Sequence, residues 1–193
     1  MIRMEWTVDS GAPIRSRTQY FDEVAGRGRV QPECCQGIGS RKAVVCSPEG
    51  YIAYLGYPVD DTRATIPKIA QLLEAFRKHG YPVYHTREGH RPDLSTLSSR
   101  ELFRSRNNAS GLGIGDRGPL GRLLIRGELG HDIIPELYPL PSEPVIDKPG
   151  RSAFAYTDFE LLLKVRGITK LVICGVTTDV CVHSTMREGN DRG

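Results

Sequence analysis

The sequence predicts an α/β protein of three layers, in which helices cover both faces of a doubly wound parallel sheet. Apolar runs of strand length alternate along the chain with amphipathic stretches of helix length. The segment 170–176 (KLVICGV) is a continuous apolar run, as expected of a strand that is buried on both faces. Because parallel strands are joined by crossovers, this alternation indicates one sheet wound through helices.

The clearest helix is the stretch 61–79. Its apolar residues recur at steps of three and four and share one face: Ile66, Ile69, Leu72, Leu73 and Phe76. Gly80 follows at the position where helices commonly end. The next run, 81–86 (YPVYHT), is predicted to be a strand that returns into the sheet.

The second half of the chain continues this alternation. A strand is predicted at 143–148 and a helix at 157–167, where Thr157 and Glu160 have the spacing of a capping box. After the last strand, a polar turn leads into a helix predicted over 180–190.

Two segments lack a clear periodicity of apolar residues. Residues 1–41 are rich in glycine, arginine and polar side chains, and are predicted to form an irregular lead-in before a single domain at 42–193. The run 43–45, at the start of this domain, predicts no more than a weak strand. Residues 87–142 are rich in loops and glycine, and are predicted to form an ordered excursion over one face of the sheet.

The composition narrows the range of functions. The chain has 193 residues, of which 39% are hydrophobic and 25% are charged, the mix of an ordinary globular domain. The formal charge of +3 is small and the basic residues are dispersed, so nucleic acid is not an expected partner. The sequence shows neither an apolar run of membrane-spanning length nor a secretion signal, so no membrane partner and a cytoplasmic location are expected.

The five cysteines give no sign of a disulfide framework or a zinc site, because no Cys-x-x-Cys pair occurs and their number is odd. Cys181 is distinguished by its position, after the last predicted strand and a tight polar turn, at the start of a helix. Backbone N–H groups are unpaired there and the helix dipole favours an anion, so a thiolate nucleophile is stabilised. The position also fits a cysteine that only packs, since free cysteines are often buried.

Lys148 ends the predicted strand 143–148, which the order of elements places beside the strand 170–176. The carboxyl ends of parallel strands face the ligand crevice of such folds. A lysine there can stabilise a thiolate or a developing oxyanion as a point charge, whereas a lysine on the surface is only solvated. Position alone leaves both interpretations open.

Four stretches of sequence resemble the motifs of one enzyme family. They read HTREGHRPDL at 85–94, IDKPG at 146–150, VTTDVCV at 176–182 and STMREGNDRG at 184–193. Residues 46–193 as a whole resemble the isochorismatase-like cysteine hydrolases. The first stretch, in particular, resembles the branch of biuret and ureidoacrylate amidohydrolases.

The resemblance implies a hydrolase that cleaves a C–N bond of a small ureido or amide compound, such as biuret, through a cysteine thioester. Cys181 is the implied nucleophile, and Lys148 is the implied lysine of an Asp-Lys-Cys triad. The backbone amides of Thr177 and Cys181 are implied to hold the oxyanion, after a cis peptide bond between Val176 and Thr177. The resemblance implies no cofactor, and it implies a homo-oligomer.

The first of the four stretches supplies the candidates for substrate binding. Arg87 and Glu88 follow directly on the predicted strand 81–86, and the resemblance implies that they line or shape the crevice. His85 and His90 lie near acidic residues in the sequence, but their spacing matches no metal-ligand pattern, so no metal site is predicted.

The sequence departs from the family at the triad aspartate. Counting back six residues from Cys46 leads to Ser40 in the family's register, and neither Glu33 nor Glu49 is in register. Relatives continue with further strand and helix units beyond the motif that ends at Gly193, so the domain is expected to be truncated at this end. An alternative is therefore an inactive chain of the same fold, a scaffold or a non-functional product. The chain as given is predicted to hydrolyse amides poorly or not at all.

Overall fold

A central parallel sheet organises the molecule. The computed structural model describes residues 34–38 and 46–193. The strands in these residues are β1 (Cys34–Ile38), β2 (Val83–Glu88), β3 (Arg117–Gly118), β4 (Gly121–Arg122), β5 (Val145–Lys148) and β6 (Leu171–Gly175). Four of them form one sheet in the order β5-β2-β1-β6, in which every neighbouring pair is parallel. The parallel sheet predicted from the sequence is therefore confirmed.

β1 lies inside the segment 1–41, for which the sequence predicts irregular structure. Its sequence, CCQGI, includes a glutamine and a glycine and shows no alternation, so no local pattern indicates a strand. β1 pairs with both β2 and β6 and lies between them. β5 is thus separated from β6 by two strands, and the prediction that Lys148 ends the strand beside β6 is wrong. The run 43–45 lies outside the described residues.

Helices connect the strands of the sheet. In the described part of the chain they are α1 (Tyr51–Tyr54), α2 (Asp60–Ala64), α3 (Ile66–Lys78), α4 (Ser99–Ser105), α5 (Phe159–Val165) and α6 (His183–Asp191). A single π-helical turn, Thr178–Val182, precedes α6. None of the helices in these residues is long and apolar enough to cross a bilayer.

The helix predicted over 61–79 is present in two pieces. α2 ends at Ala64, and α3 begins at Ile66 with Pro67 in its first turn. The proline has no N–H to donate to the carbonyl of Arg63, and its ring clashes with a continuous helix, so the helix breaks here. The buried residues of α3 all belong to the apolar face that the sequence predicts.

The capping box predicted at the start of α5 is wrong. α5 begins at Phe159, and the side chain of its N-cap residue, Asp158, makes no capping hydrogen bond. The hydroxyl of Thr157 donates to the carbonyl of Ala153 and accepts a hydrogen bond from the N–H of Phe159. Glu160 pairs with Lys164 on the next turn of the helix instead of reaching back to the N-terminus.

Two apolar clusters cover the two faces of the sheet. Successive residues of β2 point to opposite faces, so Val83 enters one cluster and Tyr84 the other. The cluster around Val83 contains the buried face of α3, and the cluster around Tyr84 contains the buried residues of α5. Helices therefore flank the sheet on both sides, as the sequence predicts.

The excursion 87–142 packs over the α3 side of the sheet. It contains α4, the antiparallel hairpin of β3 and β4, and two short 3-10 turns at Leu129–His131 and Pro135–Leu137. Many of its apolar side chains are buried in the cluster that contains α3: Ile114, Leu124, Ile125, Ile133, Ile134 and Leu137. The predicted ordered excursion over one face is confirmed.

A partly buried ion pair connects α3 to the segment that leads into β5. The guanidinium of Arg77 donates to both carboxylate oxygens of Glu143 at 2.8 Å, and the ring of His85 lies 2.8 Å from the same carboxylate. Burial raises the pKa of Glu143, but the hydrogen bonds from Arg77, from the N–H of Leu140 and from His85 outweigh it and hold this pKa at about 2. Burial lowers the pKa of His85, so its ring is neutral at pH 7.

Glutamine in place of Glu143 is expected to lower the free energy of unfolding at pH 7 by about 2 kcal/mol, because Arg77 loses a charged partner inside the fold. The contribution of Glu143 to the free energy of unfolding is complete above pH 4.5, its ordinary pKa. It is lost as the pH falls towards about 2, its pKa in the folded chain. Urea denaturation measures the change, with Glu136→Gln at an exposed glutamate as the control. Equal stability of E143Q and the wild type would show that the pair contributes nothing to folding.

Candidate active site

The carboxyl ends of β2 and β5 bring two charged residues together. Glu88 ends β2 and Lys148 ends β5, and the two are partners in the ladder. The N–H of Gly89 donates to the carbonyl of Lys148 at 2.9 Å, which extends this ladder by one residue. Glycine is required at position 89 by close approach, because a Cβ atom there would lie 2.3 Å from the ring of His131.

Lys148 carries a fully buried charge. Its side chain is 0% exposed, and the ammonium donates to Oε2 of Glu88 at 2.9 Å, to the carbonyl of Gly150 at 2.8 Å and to Sγ of Cys181 at 3.4 Å. An ammonium has three hydrogens, and each of them has an acceptor here. The contact with Sγ agrees with the shared crevice that the sequence predicts for Lys148 and Cys181.

Cys181 lies in the π-helical turn between β6 and α6, and it is buried. The peptide bond between Val176 and Thr177, just before this turn, is cis, as the family resemblance implies. The carbonyl of Cys181 accepts from the hydroxyl of Thr185 at 2.8 Å, and this hydroxyl accepts from the N–H of Ala153 at 3.0 Å. These hydrogen bonds fasten the turn to the segment that follows β5.

The carboxylate of Glu88 completes a group of three side chains. Its Oε2 atom lies 3.2 Å from Sγ of Cys181 and 2.9 Å from Nζ of Lys148. The thiol donates to Glu88 and accepts from Lys148. The sequence predicts Glu88 only as a residue that lines or shapes the crevice, and it does not predict the contact with Cys181. The signal that could have found it is that Lys148 ends one predicted strand and Glu88 comes just after the end of another.

Arg87 is held apart from this group of three. Its guanidinium donates to Asp147 at 2.5 and 3.3 Å and to Asp132 at 3.0 Å. Burial lowers the pKa of Arg87, but the two aspartates outweigh it and raise the pKa above its ordinary value. Side chains alternate along a strand, so Arg87 and Glu88 point to opposite faces of β2. Arg87 therefore fixes Asp147, which precedes Lys148, and does not reach the thiol.

The two histidines that were weighed as metal ligands have other partners. His85 pairs with Glu143, and Nδ1 of His90 lies 3.1 Å from the carbonyl oxygen and 3.2 Å from the hydroxyl of Thr96. Burial lowers the pKa of His90, so this ring too is neutral at pH 7. His90 thereby connects two residues near the start of the excursion 87–142.

The position expected for the triad aspartate, Ser40, lies outside the described residues. β1 ends at Ile38, and it runs parallel to β2, which ends at Glu88. The sequence 34–46 (CCQGIGSRKAVVC) contains neither aspartate nor glutamate. Glu88 thus provides a carboxylate at the thiol where the first strand and the segment that follows it provide none.

The sequence pattern of the isochorismatase domain matches residues 44–193. The chain belongs to the isochorismatase family. The family resemblance of the four sequence stretches is therefore confirmed, and so is the fold that it implies.

Curated relatives of this isochorismatase-family chain include ureidoacrylate amidohydrolases named RutB. The protein of Azorhizobium caulinodans is 32% identical over 154 residues, which are 74% of this chain and 63% of the relative. The protein of Acinetobacter baylyi is 31% identical over 191 residues, which are 88% of this chain and 74% of the relative. The chain thus spans less than two thirds of the length of the first of these relatives.

A solved structure of a cysteine hydrolase has a similar fold. A cysteine hydrolase from Pseudomonas syringae pv. phaseolicola 1448A superposes with a TM-score of 0.66 at 25% sequence identity. The match covers 84% of this chain and 68% of that structure. The described part of the chain therefore has a fold similar to that of this cysteine hydrolase.

Methionine in place of Lys148 is expected to slow the alkylation of Cys181 by iodoacetamide at pH 7 about tenfold or more. The thiolate loses the cation beside it and keeps the carboxylate of Glu88, which disfavours the charged form. Peptide mapping by mass spectrometry measures the label on Cys181 separately from that on the other cysteines. Lys68→Met on the exposed face of α3 is the control and leaves the rate unchanged. Equal rates for the wild type and a folded K148M variant would show that the lysine does not favour the thiolate.

Proposed function

We propose that this chain is a cysteine-dependent amidohydrolase that cleaves a C–N bond in a small amide or ureido compound. The observation that carries the proposal is the distance of 3.4 Å between Nζ of Lys148 and Sγ of Cys181, both of them buried. Ligands of open α/β sheets bind beyond the carboxyl ends of the strands, where this pair lies. A cation beside the sulfur favours the thiolate, which is the nucleophilic form of cysteine.

The reaction begins when the thiolate of Cys181 attacks the carbonyl carbon of the substrate. The carbonyl oxygen then becomes an oxyanion, for which we propose the backbone amides of Thr177 and Cys181 as donors. A turn at the start of a helix presents N–H groups to an anion, and donors aimed at an oxyanion stabilise the transition state. Departure of the amine leaves a thioester on Cys181, and water hydrolyses it.

The side chains of the site suit a small, neutral substrate that resembles urea. Glu88 can accept from the N–H groups of such a substrate, and its charge is balanced by Lys148 at 2.9 Å. A neutral substrate adds no net charge to a buried site, which keeps the desolvation cost low. Biuret, which is neutral, is the candidate that the sequence resemblance gives. Ureidoacrylate, which the names of the relatives give, carries a carboxylate and is the anionic alternative. Arg87 shapes this crevice through its bond to Asp147.

The second candidate function is that of an inactive family member with a scaffold role. It is favoured by the sequence 34–46, which contains no carboxylate for the first-strand position of the triad. General acid–base catalysis typically contributes about 10²- to 10⁴-fold per step, so a site that lacks a proton carrier hydrolyses amides slowly. Amide turnover that depends on Cys181 would exclude this candidate.

The assembly and the location of the chain stay predictions from the sequence. A homo-oligomer follows from the family resemblance alone, and sedimentation equilibrium of the purified chain tests it. A cytoplasmic location is an expectation from the sequence, and microscopy of a tagged chain tests it.

The purified chain is expected to release ammonia or an amine from a panel that contains biuret, ureidoacrylate and simple ureas. Cys181→Ala is expected to lower kcat/KM by about 10³-fold or more, because no covalent intermediate can form. Cys174→Ala, which removes a thiol of β6 instead, is the matched control and keeps its activity. Nicotinamide and isochorismate serve as competing substrates. Turnover of either one in preference to the ureido compounds would refute the substrate class, and unchanged activity of C181A would refute the nucleophile.

A further inference from the structure

We infer that Glu88 is the proton-transfer residue of this site, in the role that an aspartate at the end of the first strand has in the family's triad. The inference rests on the proposed function, because it assigns a step of the same hydrolysis. It goes beyond that function by naming a different residue, on a different strand, as the acid and base. The site of this chain is accordingly a Glu-Lys-Cys group.

The geometry places a single oxygen atom at the centre of the group. Oε2 of Glu88 accepts from the thiol of Cys181 at 3.2 Å and from the ammonium of Lys148 at 2.9 Å. The thiol is thus already directed at a proton acceptor, within the distance that a general base needs. The side chain of Glu88 is 17% exposed, whereas that of Lys148 is 0% exposed, so Glu88 is the member of this ion pair that a substrate can also reach.

The charges of the group favour transfer of the thiol proton from Cys181 to Glu88 over its loss to water. Before the transfer the site holds an ammonium, a carboxylate and a neutral thiol. Afterwards it holds an ammonium, a carboxylic acid and a thiolate, so the net charge is unchanged. A thiolate formed by release of the proton to solvent would instead make the net charge of these three groups more negative by one, and such a change is costly in a buried site.

The location of Glu88 explains how it can substitute for an acid on β1. β2 is the strand next to β1 in the sheet, and the two run parallel, so their carboxyl ends lie at the same edge. Glu88 is paired in register with Lys148, which fixes the two residues beside each other. The sequence 34–46 offers no acid at that edge, and Glu88 supplies one from the neighbouring strand.

The proposed steps are balanced in protons. The carboxylate of Glu88 takes the S–H proton of Cys181 as a new S–C bond forms at the substrate carbonyl. The resulting carboxylic acid gives this proton to the departing nitrogen as the C–N bond breaks, which leaves the thioester. Glu88 then takes a proton from the attacking water, and it returns that proton to the sulfur of Cys181 as the C–S bond breaks.

Glu88→Gln keeps the size of the side chain and removes its ability to carry a proton. Hydrolysis of the ureido substrate is expected to fall about 10²- to 10⁴-fold. At the same time, the midpoint pH of Cys181 alkylation is expected to move down, because Lys148 remains beside the sulfur while a negative neighbour is gone. A residue that only supports the fold would not raise thiol reactivity at low pH while it lowers turnover.

A second substrate separates the proton-transfer step from the attack of the thiol. An activated aryl ester, p-nitrophenyl acetate, has a leaving group that departs without a proton, so E88Q is expected to release the first equivalent of p-nitrophenolate within about tenfold of the wild-type rate. Hydrolysis of the acetyl thioester on Cys181 is expected to be about 10²-fold slower in E88Q, because water has lost its base. Glu88→Asp is expected to recover part of both activities, and Glu74→Gln on the exposed side of α3 is the control.

The outcomes separate this inference from the proposed function. If the wild type hydrolyses ureido substrates through Cys181 and E88Q does so within about threefold, Glu88 is not the proton carrier and the proposed function stands. If the wild type hydrolyses no ureido substrate, the proposed function falls, and the rate of thioester hydrolysis in E88Q decides the role of Glu88. Equal thioester hydrolysis in E88Q and the wild type, or an alkylation midpoint that moves up, would overturn the inference.

Discussion

The buried ammonium of Lys148 is the constraint on which the active-site region depends. An unpaired charge in the interior costs several kcal/mol, so all three of its hydrogens must meet acceptors. Those acceptors come from three places: the end of β2 through Glu88, the turn after β5 through Gly150, and the π-helical turn through Cys181. The strand register, the path of the turn and the docking of α6 are therefore not independent features, because each supplies one acceptor to the same cation.

Much of the fold follows from local sequence patterns. The predicted strands 81–86, 143–148 and 170–176 correspond to β2, β5 and β6, because each of them contains apolar residues that favour burial in the sheet. β1 could not be predicted, since CCQGI becomes a strand only through ladders on both of its sides. The start of α6 was also misplaced, because nothing in the sequence shows that a π-helical turn precedes it.

The residues of the candidate site that lie in recognisable sequence motifs could be predicted. Cys181 and Lys148 could be named from their motifs, and the structure places Nζ and Sγ 3.4 Å apart. The position of Glu88 against the thiol could not be predicted, because it depends on the register between β2 and β5 and on contacts over 93 residues of sequence. The partners of Arg87 could not be predicted either, because Asp132 and Asp147 approach it only through tertiary packing.

The three side chains of the proposed Glu-Lys-Cys group come from segments that are far apart in the sequence. Glu88 lies 60 residues from Lys148, which in turn lies 33 residues from Cys181. Until β2 has paired with β5 and the turn has docked, the cysteine has neither neighbour and is an ordinary thiol. The proposed activation of the sulfur is thus a property of the tertiary structure, and it exists only while the native packing does. In the unfolded chain, Cys181 therefore reacts with electrophiles no faster than any other cysteine.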